Sequence, residues 1–162
     1  MWPFKRRAKE VRLTNEERAA VDREWRLFIS AMPKEDGPGE WYAPKEIVDA
    51  MRKTIASDAL LTLADRYLME TTGSLANKAE QTRLYERAGA AAIKAVAIDA
   101  HPLNYYKAGN ILERVSKTEN ARLFFKEFLR AAPQLLQESD GNFKTVVQNA
   151  LDDMNARQIS RE

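Results

Sequence analysis

The chain of 162 residues has no cysteine, one histidine, six glycines and six prolines. Without cysteine there is no disulfide framework, no thiolate nucleophile and no Cys-based zinc site, which suits a reducing compartment. His101 alone excludes a His pair for metal and leaves little room for His-based catalysis. A Gly-rich phosphate loop is also missing. No stretch approaches the roughly 18 apolar residues of a membrane span, and MWPFKRRAKEVR at the N-terminus has charges where a signal peptide needs its apolar segment. These absences predict a cytoplasmic protein without cofactor or metal, and not an enzyme. The acid pairs Glu16/Glu17 and Asp152/Asp153 do not change that expectation, because adjacent residues on a helix diverge by about 100°.

Ala, Leu, Glu, Lys and Arg dominate the regular segments, and no run of alternating β-branched residues competes with them. The expectation is therefore an all-α fold, and the length asks for one domain. Five of the 26 Lys and Arg and one of the 24 Asp and Glu fall in residues 1–12, which thus carry +4. The rest has 21 basic and 23 acidic side chains, a net of −2. Basicity is a property of the arm alone, so the body shows no sign of nucleic-acid binding.

Along the chain, Thr14 and Glu17 form a capping box that opens a helix over about 15–32. Val21, Trp25, Phe28 and Met32 give it an apolar stripe. The Pro- and Gly-rich stretch 33–44 reads as a linker in which Trp41 and Tyr42 pin the loop to the body. Pro44 suits the first turn of the next helix; whether 44–71 form one helix or two stays open, with Ser57 and Asp58 as either a cap or a solvent face. A helix over about 77–100 follows, its small-residue core AGAAAIKAVA inviting close approach of a neighbour, until His101-Pro102 ends it. Helices are then expected over 103–115 and 118–131, closed by Pro133. A last helix from Asp140 presents Phe143, Val146, Val147, Ala150, Leu151 and Met154 on one face, and NARQISRE should fray.

Tyr105, Ala108, Gly109 and Leu112, then Ala121 and Phe125, then Pro133, have the spacing of a known motif. Residues 105–133 resemble one unit of the tetratricopeptide repeat, whose signature is Trp-x2-Leu-Gly-x2-Tyr, Ala-x3-Phe and a closing Pro. Ala108 and Gly109 would let the paired helix approach, and Phe125 would fill the space between. A weaker match upstream has Leu60, Leu63, Ala64 and Tyr67 in its first helix and Ala90, Ala97 and Pro102 in its second. There Lys94 stands where the family has an aromatic, and an insertion should lengthen the second helix. The resemblance implies a TPR-like array of antiparallel helix pairs, with units at about 58–102 and 103–133 and a capping helix at 140–158. An irregular helical bundle is the alternative.

By position, the resemblance places Leu61, Asp65, Leu68, Tyr106, Asn110, Glu113 and Arg114 on a groove for a partner peptide or helix. The implied function is a non-catalytic interaction module, an adaptor or assembly factor. These residues also read as an ordinary solvated face. Trp2, Phe4, Lys5, Arg6 and Arg7 form a basic aromatic arm suited to weak, reversible contact with an anionic membrane or a neighbouring subunit. That arm supports a second expectation, a small structural subunit of a larger assembly.

Overall fold

The computed structural model describes residues 10–31, 44–73 and 77–159. Six helices follow in order, α1 (Asn15–Ala31), α2 (Lys45–Gly73), α3 (Lys78–Ile98), α4 (Pro102–Arg114), α5 (Thr118–Glu138) and α6 (Gly141–Ala156), with no strand among the described residues. The fold is all-α. Trp41, Tyr42 and the rest of the 33–43 linker lie outside the described residues.

The helix starts follow from local chemistry. Both arms of the Thr14/Glu17 box form, each at 3.2 Å, so two orphan N–H groups are satisfied reciprocally. The Asn77 side chain accepts from the Glu80 N–H, and His101 Nδ1 accepts from the Leu103 N–H at 3.2 Å with Pro102 next to it. Residues 45–73 form one helix. Ser57 neither caps nor faces water: fully buried, its hydroxyl donates to the Ala95 carbonyl at 3.0 Å. That bond requires α2 and α3 to lie close. The stripe of Ala88, Ala91, Ala92 and Ala95, all fully buried, permits it.

The two most extensive packings are α2 on α3 and α4 on α5, while α3 also meets α4 and α5 meets α6. Across these pairs, α2 touches α4 and α4 touches α6. Leu60, Leu63, Leu68, Leu112 and Phe128 are the largest fully buried apolar side chains at the centre. The extra length between Tyr67 and Ala90 is shared by the end of α2 and the first half of α3, so both helices of the upstream pair are lengthened. Ala97 is exposed and takes no packing role.

Four expectations need correction. Pro133 does not end its helix; α5 continues to Glu138. Its ring is exposed, and the next turn places Leu135 and Leu136 against the core, a gain that offsets a cost of about 3 kcal/mol for proline inside a helix. On α1 the deepest residues are Glu17 and Ala20, while Val21, Trp25 and Phe28 are only half-buried and Met32 lies outside the described residues. Because α1 leans chiefly on α2, its large side chains sit at an edge, with the Arg52 guanidinium 4.8 Å from the Trp25 ring. On α6, Phe143 and Val146 are exposed, and burial begins at Val147. Residues 155–159 do not fray: Gln158 takes a left-handed φ of 55°, the Ile159 N–H returns to the Met154 carbonyl, and Ile159 packs on the core. Residues 160–162 lie outside the described residues.

Lys94, out of place for the repeat pattern, has a specific partner. Its ammonium donates to both Glu17 carboxylate oxygens, at 2.9 and 2.7 Å, and Glu17 is 3% exposed. The pair joins α1 to α3. Lys94→Met should leave a buried carboxylate unpaired and cost ~3 kcal/mol in urea unfolding, the lower end for a broken buried pair because Lys94 keeps some solvent. Adding Glu17→Gln should recover part of that loss while keeping the capping arm; a double variant whose cost is the plain sum of the two single-variant costs would show that the pair does not couple.

Gly109 meets Phe125 directly. A Cβ at Gly109 would lie 2.6 Å from Phe125 Cε1 and 2.8 Å from Cδ1. Gly109→Ala gains about 1 kcal/mol of helix propensity and loses about 1–3 kcal/mol to overpacking. Net destabilisation is expected, and Phe125→Leu in the same chain should relieve it; a Gly109→Ala protein with raised thermal stability would contradict this packing.

Candidate functional site

Helix α4 carries most of the candidate groove, and its neighbours divide its surface into three faces. Ala108 and Leu112 are fully buried, and Gly109 faces α5. Tyr106 and Glu113 turn to α6: the Tyr106 hydroxyl donates to Asp153 at 2.7 Å, and Arg157 donates to Glu113 at 2.8 Å. Lys107, Asn110, Ile111 and Arg114 turn to α2.

Between α2 and α4 lies an open cleft of about 490 Å³. Asp58, Leu61, Thr62 and Asp65 form one wall; Lys107, Asn110, Ile111 and Arg114 form the other. Both sets recur at i, i+3, i+4 and i+7, so each is one stripe of its helix. Leu61 and Ile111, 5% and 3% exposed, make a nearly closed floor. Asp65 and Arg114 approach to 4.0 Å, with both side chains more than half exposed. Such a pair contributes little stability and opens readily.

The cleft therefore brings together Leu61, Asp65, Asn110 and Arg114 of the expected groove, and adds Asp58, Thr62, Lys107 and Ile111. Leu68 is a correction: at 1% exposure it belongs to the core and offers no surface, because its position on α2 points between helices. Tyr106 and Glu113 lie on another face of α4 than the cleft. They bond to Asp153 of α6 and to Arg157 just after it, whose placement the sequence pattern gives no means of finding. A periodicity signal for the missed residues did exist, since Asp58 and Lys107 lie one helical stripe-repeat before Asp65 and Arg114. Trp2, Phe4, Lys5, Arg6 and Arg7 lie outside the described residues.

Arg157 holds the α4/α6 side closed. Its guanidinium donates to Glu113, Asn110 and Asp153 at 2.8, 2.7 and 2.8 Å and lies 5.1 Å from the centre of the Phe125 ring. His101 serves as a helix cap and packs edge-on against Phe143, 5.9 Å away. Among the described residues, no group of three or more His, Asp or Glu is placed to hold a metal ion, and no helix is long and apolar enough to cross a membrane. A scan against models of known families, and searches of curated proteins and of solved structures, give no match.

Buried Tyr67 and half-buried Tyr105 and Tyr106 contribute to the alkaline behaviour. Burial, then the bond to the Asp153 carboxylate, raises the Tyr106 phenol above its ordinary value near 10, against the opposing charge of Arg157. Tyr67 is raised further by burial and by Glu16, and Tyr105 by burial and Glu127. Since each folded-state value exceeds the unfolded one, the stability linked to these groups is complete below pH 10 and is lost as pH rises beyond it. Phenolate absorbance from these three tyrosines should thus appear together with unfolding. Tyr106→Phe should cost about 1.5 kcal/mol at neutral pH by losing a charged acceptor, and should weaken the alkaline loss; an unchanged alkaline profile would remove Tyr106 from this account.

Proposed function

We propose that this chain is a non-catalytic protein–protein interaction module, an adaptor or assembly factor that holds a segment of another protein in the cleft between α2 and α4. The observation that carries the reading is the pair of matched stripes. Asp58, Leu61, Thr62 and Asp65 face Lys107, Asn110, Ile111 and Arg114 across an open space of about 490 Å³, a size usual for a small binding site. Asn110 offers its amide donor to a peptide backbone, its oxygen already accepting from Arg157 at 2.7 Å.

The tetratricopeptide resemblance supports the same reading. The close contact of Gly109 with Phe125, the extensive α2/α3 and α4/α5 pairings and the contacts of α2 with α4 and of α4 with α6 all agree with a stacked array in which α6 serves as the cap. First helices then line the cleft. The basic aromatic arm suggests a second role, reversible attachment to a neighbouring subunit or to the cytoplasmic face of a membrane, and it rests on the +4 charge of residues 1–12.

Affinity capture from native lysate tests the first reading. Tyr106 and Glu113 are unsuitable targets because they hold α6, whereas Asp65 and Lys107 are exposed. Asp65→Arg with Lys107→Glu should lose one stoichiometric partner while a control on α3, Glu86→Lys, retains it. Capture unchanged in the cleft variant would reject the cleft. Loss of that partner on deletion of residues 1–12 instead would assign the contact to the arm.

A further inference from the structure

The cleft has a polarity that narrows its occupant, an inference that rests on the reading of the cleft as a binding site. All titratable residues of the α2 wall are acidic, Asp58 and Asp65, and all those of the α4 wall are basic, Lys107 and Arg114. Helix α3 returns between α2 and α4, so the two walls run in the same sense. Asp65 meets Arg114 at 4.0 Å, and Asp58 and Lys107 each lie seven residues earlier on their own helices, two turns or about 10 Å away. One end of the cleft is thus bridged by its own charges. At the other end, Asp58 and Lys107 line the same space and make no ion pair with any described residue.

An occupant of that open end meets a carboxylate on one side and an ammonium on the other. A uniformly acidic segment is attracted by α4 and repelled by α2, and a uniformly basic one the reverse, so neither gains from both walls. In an extended chain successive side chains point to opposite sides. Two adjacent residues of opposite charge would then aim one at each wall, and about 10 Å of cleft takes about three extended residues. A helical occupant fits less well, because its diameter with side chains is about 10–12 Å and its adjacent residues do not face opposite ways. The floor adds little apolar grip, since Leu61 and Ile111 are almost fully covered. Polarity is what the site has to select by.

We infer that the cleft takes an extended peptide segment bearing adjacent basic and acidic side chains, the basic one against Asp58 and the acidic one against Lys107, with its backbone on Asn110. Charge changes at the open end then alter preference, and do not merely weaken binding. Asp58→Lys makes that end wholly basic, and Lys107→Glu makes it wholly acidic.

The test uses the full chain and a displayed library of random peptides, followed by anisotropy titration of the enriched sequences at low and moderate salt. Both substitutions are at exposed positions, and circular dichroism checks that each variant keeps its helices. The expected result is enrichment of adjacent basic–acidic pairs, with binding weakened roughly tenfold or more in either variant. The variants should also switch selection, Asp58→Lys toward doubly acidic and Lys107→Glu toward doubly basic peptides. Enriched peptides of uniform charge, or apolar ones, that still lose binding in the variants would overturn the mixed-charge inference and leave the cleft as a binding site. Peptides bound equally by wild type and both variants, or no enrichment at all, would overturn the inference together with the proposed use of the cleft.

Discussion

The contact on which the arrangement of this molecule turns is between a ring and a bare backbone. Phe125 lies so close to Gly109 that no Cβ would fit between them, and this fixes both the separation of α4 from α5 and the rotation of α4 about its own axis. Rotation decides which side chains α4 turns to each neighbour. With Gly109 toward Phe125, Lys107, Asn110 and Arg114 are set toward α2, and Tyr106 and Glu113 toward α6. A turn of α4 by one residue, about 100°, would exchange those roles. Arg157 approaches the Phe125 ring as well, so the same aromatic anchors the C-terminal helix to the pair it covers.

At the other end of the fold, attachment is polar. Helix α1 buries Ala20 and little else that is fully apolar, and its tie to α3 is the Glu17–Lys94 pair. Replacing such a pair by apolar residues of similar volume is often neutral or better for stability. What the pair adds is register: Glu17 Oε2 also accepts from the Thr14 N–H, so one carboxylate both starts α1 and docks it. Sliding α1 by a single residue would leave Glu17 buried without its ammonium. The nearby Glu16–Arg87 contact at 3.5 Å is exposed and adds less.

The parts of this structure that could be read from sequence are those set by near neighbours in the chain. The Thr14/Glu17 box, the His101-Pro102 boundary and the spacing of Tyr105, Gly109 and Phe125 each state a local geometry, and the all-α class follows from such signals, though not whether 44–71 form one helix or two. Pro133 misled because the rule for proline is local while Leu135 and Leu136 gain from tertiary burial. Ser57 was ambiguous for a similar reason, its acceptor Ala95 being 38 residues away. Lys94 looked like a flaw in a repeat; only the position of α1 explains it. The left-handed turns at Ser116 and Gln158 carry no glycine to announce them, yet each closes its helix with a return bond, to Leu112 and to Met154.

The candidate groove shows the same division between local and distant information. Positions on a single helix stripe are within reach of periodicity, so Asn110 and Arg114 belong together on α4, whereas Asp65 on α2 joins them only by the position that the repeat resemblance gives it. Which of two outward stripes on α4 meets solvent depends on where α6 lies, and α6 reaches α4 through Tyr106, Asn110 and Glu113. Asn110 sits between the two, lining the cleft while accepting from Arg157. A segment bonded to Asn110 would therefore compete with, or share, a contact that helps hold the C-terminal helix. The lining of the cleft and the bonds to Arg157 thus share that one amide. Neither face of α4 is independent of the other, because Asn110 belongs to both.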